Sequence, residues 1–173
     1  DHQGQPGVDL FLACEPDAAV AAMLDDLGRP TTPLLTPTPE VVAPPELPAG
    51  PISVEQVASS LRYATGARDI SLLHLPLSWN GANWHFRHPL DYLGSDGGGG
   101  IGGGPGIAIG AALALRDTAS QRLPIAICGD GDFLMGVTAL WTAVHYRIPL
   151  LFVIVNNQSF YNDEVHQERM ARL

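Results

Sequence analysis

Two short polar motifs in this chain carry residue types that bind a metal ion and an anion. Gly129-Asp130-Gly131-Asp132 follows one apolar run, Asn156-Asn157 follows a second, and 24 residues separate Gly131 from Asn156. A carboxylate, an amide oxygen and a nearby backbone carbonyl suit Mg²⁺, which completes its six-coordinate shell with water and phosphate oxygens. Gly129 and Gly131 allow the backbone to approach an anion, toward which the N–H groups of a following helix start point. The motifs predict a diphosphate held through a metal ion.

The apolar runs before these motifs predict parallel β-strands. Residues 123–128 and 149–155 are short and nearly uninterrupted, as in strands covered on both faces. Residues 133–146 lack proline and are long enough for a crossover helix, with Asp132 available as its cap. Such a unit brings both following loops to the carboxyl edge of the sheet, where open α/β folds bind ligands. We therefore expect an α/β fold with a doubly wound parallel sheet, in which Asp130 and Asn157 meet.

These motifs together resemble the signature of the thiamine-diphosphate enzymes, G-D-G followed at this distance by N-N. The glycine-rich segment at 97–114 resembles that of the acetolactate synthase and benzoylformate decarboxylase group. The resemblance covers most of residues 52–173 and implies the C-terminal diphosphate-binding domain. It implies thiamine diphosphate and Mg²⁺ as cofactors, and cleavage or formation of a C–C bond next to a 2-oxo group of a small 2-oxo acid or related carbonyl substrate.

The resemblance also assigns site residues. It implies that Mg²⁺ is ligated by Asp130, the Asn157 side chain and the Ser159 carbonyl. Ile101 falls where the family has a bulky apolar residue under the cofactor, and Gly99 where a carbonyl accepts a bond from the aminopyrimidine. The cofactor-binding residues implied in this way are Gly99, Ile101, Gly129, Gly131, Asp132, Asn157, Ser159 and Phe160. For Phe160, flanking the metal loop and covering the sheet edge are both open readings.

Asp132 departs from the commonest form of the signature, which has a serine or another small residue touching the diphosphate. A second carboxylate beside an anion is unfavourable at short range. We expect its side chain to turn away and cap the helix while its N–H serves the phosphate. The alternative is a weakened site.

The resemblance places the activating glutamate on a pyrimidine-binding domain that these residues lack, so no catalytic residue is expected in this span. The span alone is then expected to be inactive, and the intact enzyme to be a homodimer or homotetramer with sites between chains. Two other hypotheses stay open: the diphosphate-binding subunit of a split decarboxylase, and a non-catalytic relative with an assembly or regulatory role. Some relatives hold FAD in their middle domain, but nothing in this sequence supports a flavin.

The chain is expected to contain parts of two domains. Residues 1–29 resemble the tail of a middle domain, with a strand at 8–14 and a helix at 16–27. Eight of the 22 residues at 30–51 are proline, which predicts an extended linker. The diphosphate-binding domain would span 52–173, opening with a capping box from Ser53 to Gln56. The fold is expected to be incomplete at both ends, because relatives continue beyond them.

Two further segments have more than one reading. Ser78 to Asn80 either touch the diphosphate or belong to a surface loop held by two tryptophans. His85 and His88 have the spacing of a metal pair but no further ligands nearby in sequence, so packing or solvent-facing roles are expected. Gly98-x-Gly100-x-x-Gly103 matches the dinucleotide fingerprint, but no apolar strand leads into it, so nicotinamide binding is not expected.

Composition excludes several function classes. The formal charge of −9 argues against nucleic acid as a partner. All nine basic residues are arginine, which excludes a P-loop or Schiff-base lysine in this span. No apolar stretch is long enough to cross a membrane and no signal peptide is recognised, so a cytoplasmic setting is the default expectation. Cys14 and Cys128 are expected to be buried and unpaired.

Overall fold

The computed structural model of the chain describes residues 9–28, 43–45, 49–94 and 100–172. The chain divides into two compact units, Asp1–Thr38 and Pro39–Leu173. Within the described ranges, no helix combines the length and apolar character needed to span a bilayer. Gly99 and most of the predicted linker at 30–51 lie outside the described residues, and the domain boundaries stay a prediction.

The first unit contains the predicted helix but not the predicted strand. Helix α1, Pro16–Leu27, ends at Gly28, whose φ of 66° suits glycine and whose N–H donates to the Leu24 carbonyl. The strand predicted at 8–14 is wrong for residues 9–14, which form none and leave Phe11 exposed. Cys14 is also exposed, so the expectation that it is buried is wrong. A strand needs a neighbour for its backbone hydrogen bonds, and the described part of this unit offers none.

The second unit confirms the α/β class and the parallel sheet. Three strands are present in the described part of this unit, and they are all parallel, in the order β1-β2-β3. Two 3-10 turns, Gly81–Asn83 and Pro89–Asp91, lie between β1 and the helix that follows it. The elements in chain order are α2 (Val54–Thr65), β1 (Ile70–His74), α3 (Gly104–Asp117), β2 (Leu123–Gly129), α4 (Asp130–Gly136), α5 (Ala139–His145), β3 (Leu151–Val155) and α6 (Tyr161–Ala171).

Both faces of β1 and β2 are covered, whereas Leu151 and Ile154 of β3 are exposed, so the expected burial on both faces holds for β2 but not for β3. The predicted capping box starts α2: the Ser53 hydroxyl accepts from the Gln56 N–H and the Gln56 side chain accepts from the Ser53 N–H. The cluster under α2 and the tryptophan loop contains Ile70, Leu72, Ile125 and Ile127, with Leu61, Trp79 and Trp84 against it. The cluster on the opposite face contains Leu73, Ala108, Ile109, Ala112, Leu115, Ala126, Cys128, Ala143 and Ile148.

The crossover between β2 and β3 consists of two helices, whereas the sequence predicted one helix at 133–146. Helix α4 ends at Gly136 and α5 begins at Ala139. A Cβ at Gly136 would lie 2.6 Å from the Gly102 carbonyl oxygen and 2.9 Å from the Pro105 ring. The start of α3 therefore approaches the end of α4 so closely that only glycine fits there.

Candidate functional site

The carboxyl ends of all three strands open onto one cavity of about 380 Å³, with His74, Gly129 and Val155 in its wall. Its lining residues come from four stretches of the chain: 74–78, 100–101, 129–132 and, with gaps, 155–163. This is where a parallel α/β sheet is expected to bind a ligand.

The two predicted loops meet in this cavity, which Asp130, Asn157 and Ser159 line together. The Asn157 Oδ1 accepts a hydrogen bond of 3.2 Å from the Ser159 N–H, and the Ser159 hydroxyl donates to Glu164 at 2.8 Å. These bonds hold the loop after β3 in a tight turn and orient the amide oxygen of Asn157. Asp130 and Asn157 therefore meet at one cavity, as expected, and their roles as metal ligands stay a prediction.

The two adjacent asparagines differ in their surroundings. Asn157 lines the cavity, whereas Asn156 is not among its lining residues. The Asn156 Oδ1 instead accepts from the Gln158 N–H at 2.9 Å, and Gln158 has a φ of 56°. Asn156 thus shapes the turn that presents Asn157 to the cavity.

Gly131 is buried beneath the side chain of Phe160. A Cβ at Gly131 would lie 2.5 Å from the Phe160 Cε1, so no side chain fits without moving the ring. Phe160 is 44% exposed and lines the cavity beside the 129–132 loop. Phe160 therefore packs against the 129–132 loop at the carboxyl edge of the sheet, and its role in cofactor binding stays a prediction.

Asp132 does not cap a helix, so that prediction is wrong. Helix α4 begins at Asp130 with Gly129 as its N-cap, which places Asp132 inside the first turn. The Asp132 Oδ1 accepts a hydrogen bond of 2.6 Å from the Gly102 N–H. Its Oδ2 lies 3.1 Å from the His74 Nε2, and both side chains are about nine-tenths buried. The carboxylate turns inward, to the glycine-rich segment rather than to its own helix.

Sequence reasoning missed His74, because a lone histidine in an apolar run looks like a core residue. The pairing of β1 with β2 shifts between Leu72 and His74. A shift of this kind re-aims side chains, as β-bulges do beside functional sites. Leu73 packs in the cluster with α3, and the His74 imidazole also reaches the start of that helix, beside Gly104. Simple alternation along the strand would not place both residues there.

The charges around the cavity favour a hard cation. The described residues that line it include Asp130, Asp132 and Asp163 but no arginine. A diphosphate would be repelled by these carboxylates unless a cation lay between them. Carboxylate, amide and carbonyl oxygens are the ligands that Mg²⁺ prefers. The donor set therefore fits a magnesium–diphosphate group.

A second cluster of metal-ligand atoms is less suitable. His74, Cys128 and Asp132 place ligand atoms within 4.8 Å of one another. Burial, and then the charge of Asp132, raise the pKa of the Cys128 thiol to about 12. A metal ion needs the thiolate, so this cluster is better described as a buried contact between His74 and Asp132 packed beside a thiol.

The remaining predictions concern the glycine-rich segment and the loop after β1. Ile101 lines the cavity and is 41% exposed, whereas Gly99 is outside the described residues.

Ser78, in the loop after β1, also lines the cavity, but the Asn80 side chain accepts from the Ala82 N–H and starts a 3-10 turn. The Trp79 and Trp84 rings pack 6.5 Å apart, so the loop is held by tryptophans and also presents Ser78 to the cavity. His88 caps the next turn by accepting from the Leu90 N–H, as expected for a packing role.

Comparison with known proteins decides the family. Residues 77–172 match the model of the thiamine pyrophosphate enzyme C-terminal TPP-binding domain, which is more than half of the chain. The chain belongs to the thiamine pyrophosphate enzyme family. The matched region includes the glycine-rich segment, the G-D-G-D loop and the N-N loop that meet in the cavity.

Members of this family with known names are similar to the chain over different lengths. Benzoylformate decarboxylase from Pseudomonas aeruginosa is 34% identical over 147 residues, which is 82% of this chain and 27% of that protein. The mitochondrial acetolactate synthase catalytic subunit of Aspergillus candidus is 35% identical over 80 residues, 46% of this chain and 11% of that protein. The chain thus spans about a quarter or less of the length of these relatives.

Solved structures of thiamine-diphosphate-dependent enzymes share the fold. The 4-hydroxybenzoylformate decarboxylase of Rhodococcus jostii RHA1 matches with a TM-score of 0.58 and 28% identity, over 83% of this chain and 26% of that one. A thiamin-diphosphate-dependent enzyme of Mycobacterium smegmatis, whose function is only provisionally assigned, matches with a TM-score of 0.53 and 29% identity. That match covers 62% of this chain and 21% of the other. The three-stranded parallel sheet and its helices are therefore part of the family's TPP-binding fold.

Proposed function

We propose that the intact protein is a thiamine-diphosphate- and Mg²⁺-dependent enzyme that cleaves or forms a C–C bond next to a 2-oxo group. The observation that carries this proposal is the meeting of Asp130, Asn157 and Ser159 in one cavity at the carboxyl edge of a parallel sheet. The relatives named as benzoylformate decarboxylase and acetolactate synthase support a small 2-oxo acid as the substrate class.

The chain's own residues would anchor the cofactor. Mg²⁺ would be held by the Asp130 carboxylate, the Asn157 amide oxygen and the Ser159 carbonyl. The metal ion would reduce the repulsion between the carboxylate and the diphosphate. The first-turn N–H groups of α4 lack partners within the helix and are available to phosphate oxygens. When bound, thiamine diphosphate supplies a nucleophilic carbon and an electron sink for the bond that breaks or forms.

Apolar side chains would keep this anchor from water. Ile101, which precedes the 129–132 loop in the sequence, and Phe160, which follows it, both line the cavity. Each side chain is partly exposed. Ile101 would support the organic part of the cofactor, and Phe160 would cover the diphosphate end above Gly131. Excluding water in this way strengthens the electrostatic contacts that hold the group.

In the intact protein, an activating glutamate would come from a pyrimidine-binding domain. A homodimer or homotetramer would place that domain at the site of another chain. These 173 residues alone would then bind the diphosphate end but would not turn over substrate. We also propose that the intact protein is located in the cytoplasm.

Product analysis on the intact protein tests the activity. We expect pyruvate or benzoylformate to release CO₂ or give a carboligation product only when both thiamine diphosphate and Mg²⁺ are present. Asp130→Ala is expected to reduce turnover to background, and Asp163→Asn, which removes another lining carboxylate, to retain most of it. Turnover without thiamine diphosphate, or unchanged turnover in Asp130→Ala, would contradict the proposal. Cofactor binding without any turnover would favour a non-catalytic relative.

A further inference from the structure

Asp132 joins two walls of the cavity that lie far apart in the sequence. Its Oδ1 accepts from the N–H of Gly102, 30 residues earlier, at a distance of 2.6 Å. Gly102 immediately follows Ile101, which lines the cavity. The hydrogen bond therefore ties the glycine-rich segment to the first turn of α4.

The position of Gly102 is fixed by its backbone conformation and by its packing against α4. Its φ of 93° is a conformation that residues with a side chain rarely adopt. A Cβ on it would lie 3.1 Å from the Met135 Cβ, so α4 also packs closely against it. The bond from Asp132 satisfies its N–H in this unusual geometry and so fixes the direction of the chain at Ile101.

Neither oxygen of Asp132 is directed at an anion. Oδ1 accepts from the Gly102 N–H, whereas Oδ2 is fully buried against Gly104 and 3.1 Å from the His74 Nε2, with no hydrogen-bond donor among the described residues. The carboxylate is therefore turned into the protein interior, at a position where free negative charge would oppose a diphosphate.

We propose that Asp132 is a positioning residue whose carboxylate, supported by His74, sets the place of Gly102 and hence of Ile101 in the cavity wall. Its side chain acts through the glycine-rich segment and does not contact the diphosphate. Its effect on cofactor binding rests on the function proposed above, but its effect on Gly102 does not. The two effects can therefore be measured separately.

Hydrogen exchange in the intact protein without ligand tests the first effect. Asp132→Ala is expected to speed exchange at the Gly102 amide by about 10-fold, equivalent to about 1.4 kcal/mol, while the β2 amides stay unchanged. Asp132→Asn keeps an oxygen acceptor for that N–H and is expected to retain most of the protection. Asp91→Ala is the matched control, because Asp91 is an equally buried carboxylate that accepts from backbone N–H groups away from the cavity. Unchanged exchange at Gly102 in Asp132→Ala would overturn the proposal.

Two ligands test the second effect, each titrated with Mg²⁺ in excess. Asp132→Ala is expected to lower the affinity for thiamine diphosphate by about 10-fold and the affinity for inorganic diphosphate by less than about 2-fold. The two differ because Ile101 would contact only the organic part of the cofactor. Equal losses for both ligands would overturn the proposal, since they would indicate direct contact with the diphosphate or general disruption. If the wild-type protein binds neither ligand, the proposed function fails, and the exchange experiment alone decides the role of Asp132.

Discussion

The Phe160 ring packs against the backbone of Gly131 so closely that a Cβ there would lie 2.5 Å from the ring's Cε1. Gly131→Ala is therefore expected to displace the ring within the cavity. Because Phe160 is 44% exposed and can move, the free energy of unfolding should fall by less than about 1 kcal/mol. Affinity for Mg²⁺–thiamine diphosphate should fall by about 10-fold, measured by calorimetric titration.

A double-mutant cycle assigns that loss to the ring. In a Phe160→Ala background, Gly131→Ala should change the affinity by less than about 2-fold, because the ring that the methyl group displaces is gone. An equal loss in both backgrounds would show that the ring is not the cause.

Two glycines of α3 should respond in opposite directions to the same substitution. A Cβ at Gly104 would collide with the Asp132 carboxylate and lie 2.8 Å from the His74 Nε2, whereas nothing lies within 4 Å of a Cβ at Gly106. Gly104→Ala is expected to lower the free energy of unfolding by about 2 kcal/mol through overpacking. Gly106→Ala should raise it by about 0.5 kcal/mol, because alanine favours a helix. Urea unfolding measures both, and equal effects would contradict the packing described for Gly104.

A buried ion pair should contribute to stability above the acid range. The Asp91 carboxylate accepts from the Arg87 and His88 N–H groups at 2.7 and 2.9 Å and pairs with Arg122, which also donates to the Ser71 hydroxyl. Burial alone would raise the pKa of Asp91, but these partners outweigh burial and hold the pKa below its ordinary value. Because the folded-state pKa lies below the unfolded one, the contribution is present at neutral pH and is lost as the pH falls below about 4.

Asp91→Asn should therefore lower the free energy of unfolding by about 3 kcal/mol at pH 7. The difference from wild type should shrink steadily as the pH falls from about 4, in denaturant titrations at a series of pH values. Asp117→Asn is the control, because the exposed Asp117–Arg116 pair should contribute less than about 1 kcal/mol. A pH-independent difference for Asp91→Asn would contradict the assigned ion pair.

The two cysteines should differ strongly in reactivity. Cys14 is exposed, whereas Cys128 is fully buried, and its environment raises the pKa of its thiol to about 12. Because alkylation requires an accessible thiolate, iodoacetamide should label the native protein at Cys14 only. Mass spectrometry of the labelled peptides measures this, with Cys14→Ser as the control that should remove the fast reaction. Rapid labelling of Cys128 before unfolding would contradict its burial.

Much of the fold could be predicted because its signals are local. The apolar runs that became β2 and β3, and the Ser53–Gln56 capping box, depend on neighbouring residues and gave elements close to those observed. The break at Gly136 could not be predicted, because it depends on the start of α3 packing there. The strand predicted at 8–14 failed for residues 9–14 because a strand also needs a partner.

The site was predicted less completely than the fold. The motifs that place Asp130 and Asn157 at one cavity are visible in the sequence, because parallel strands bring their carboxyl ends together. The inward turn of Asp132 and its neighbour His74 are not visible there. They depend on a helix start three residues earlier than expected and on a register shift in β1, and neither leaves a pattern in the sequence.

The most direct measurement of the metal-anchor proposal compares the two adjacent asparagines. Thiamine diphosphate is titrated into the intact wild-type protein and into the Asn157→Ala and Asn156→Ala variants, with and without Mg²⁺. We predict that the wild-type protein binds thiamine diphosphate saturably and only with Mg²⁺. The affinity should fall by more than about 100-fold in Asn157→Ala and by less than about 10-fold in Asn156→Ala. Binding that is independent of Mg²⁺, absent in the wild type, or equally affected by both substitutions would contradict a metal-held diphosphate at this cavity.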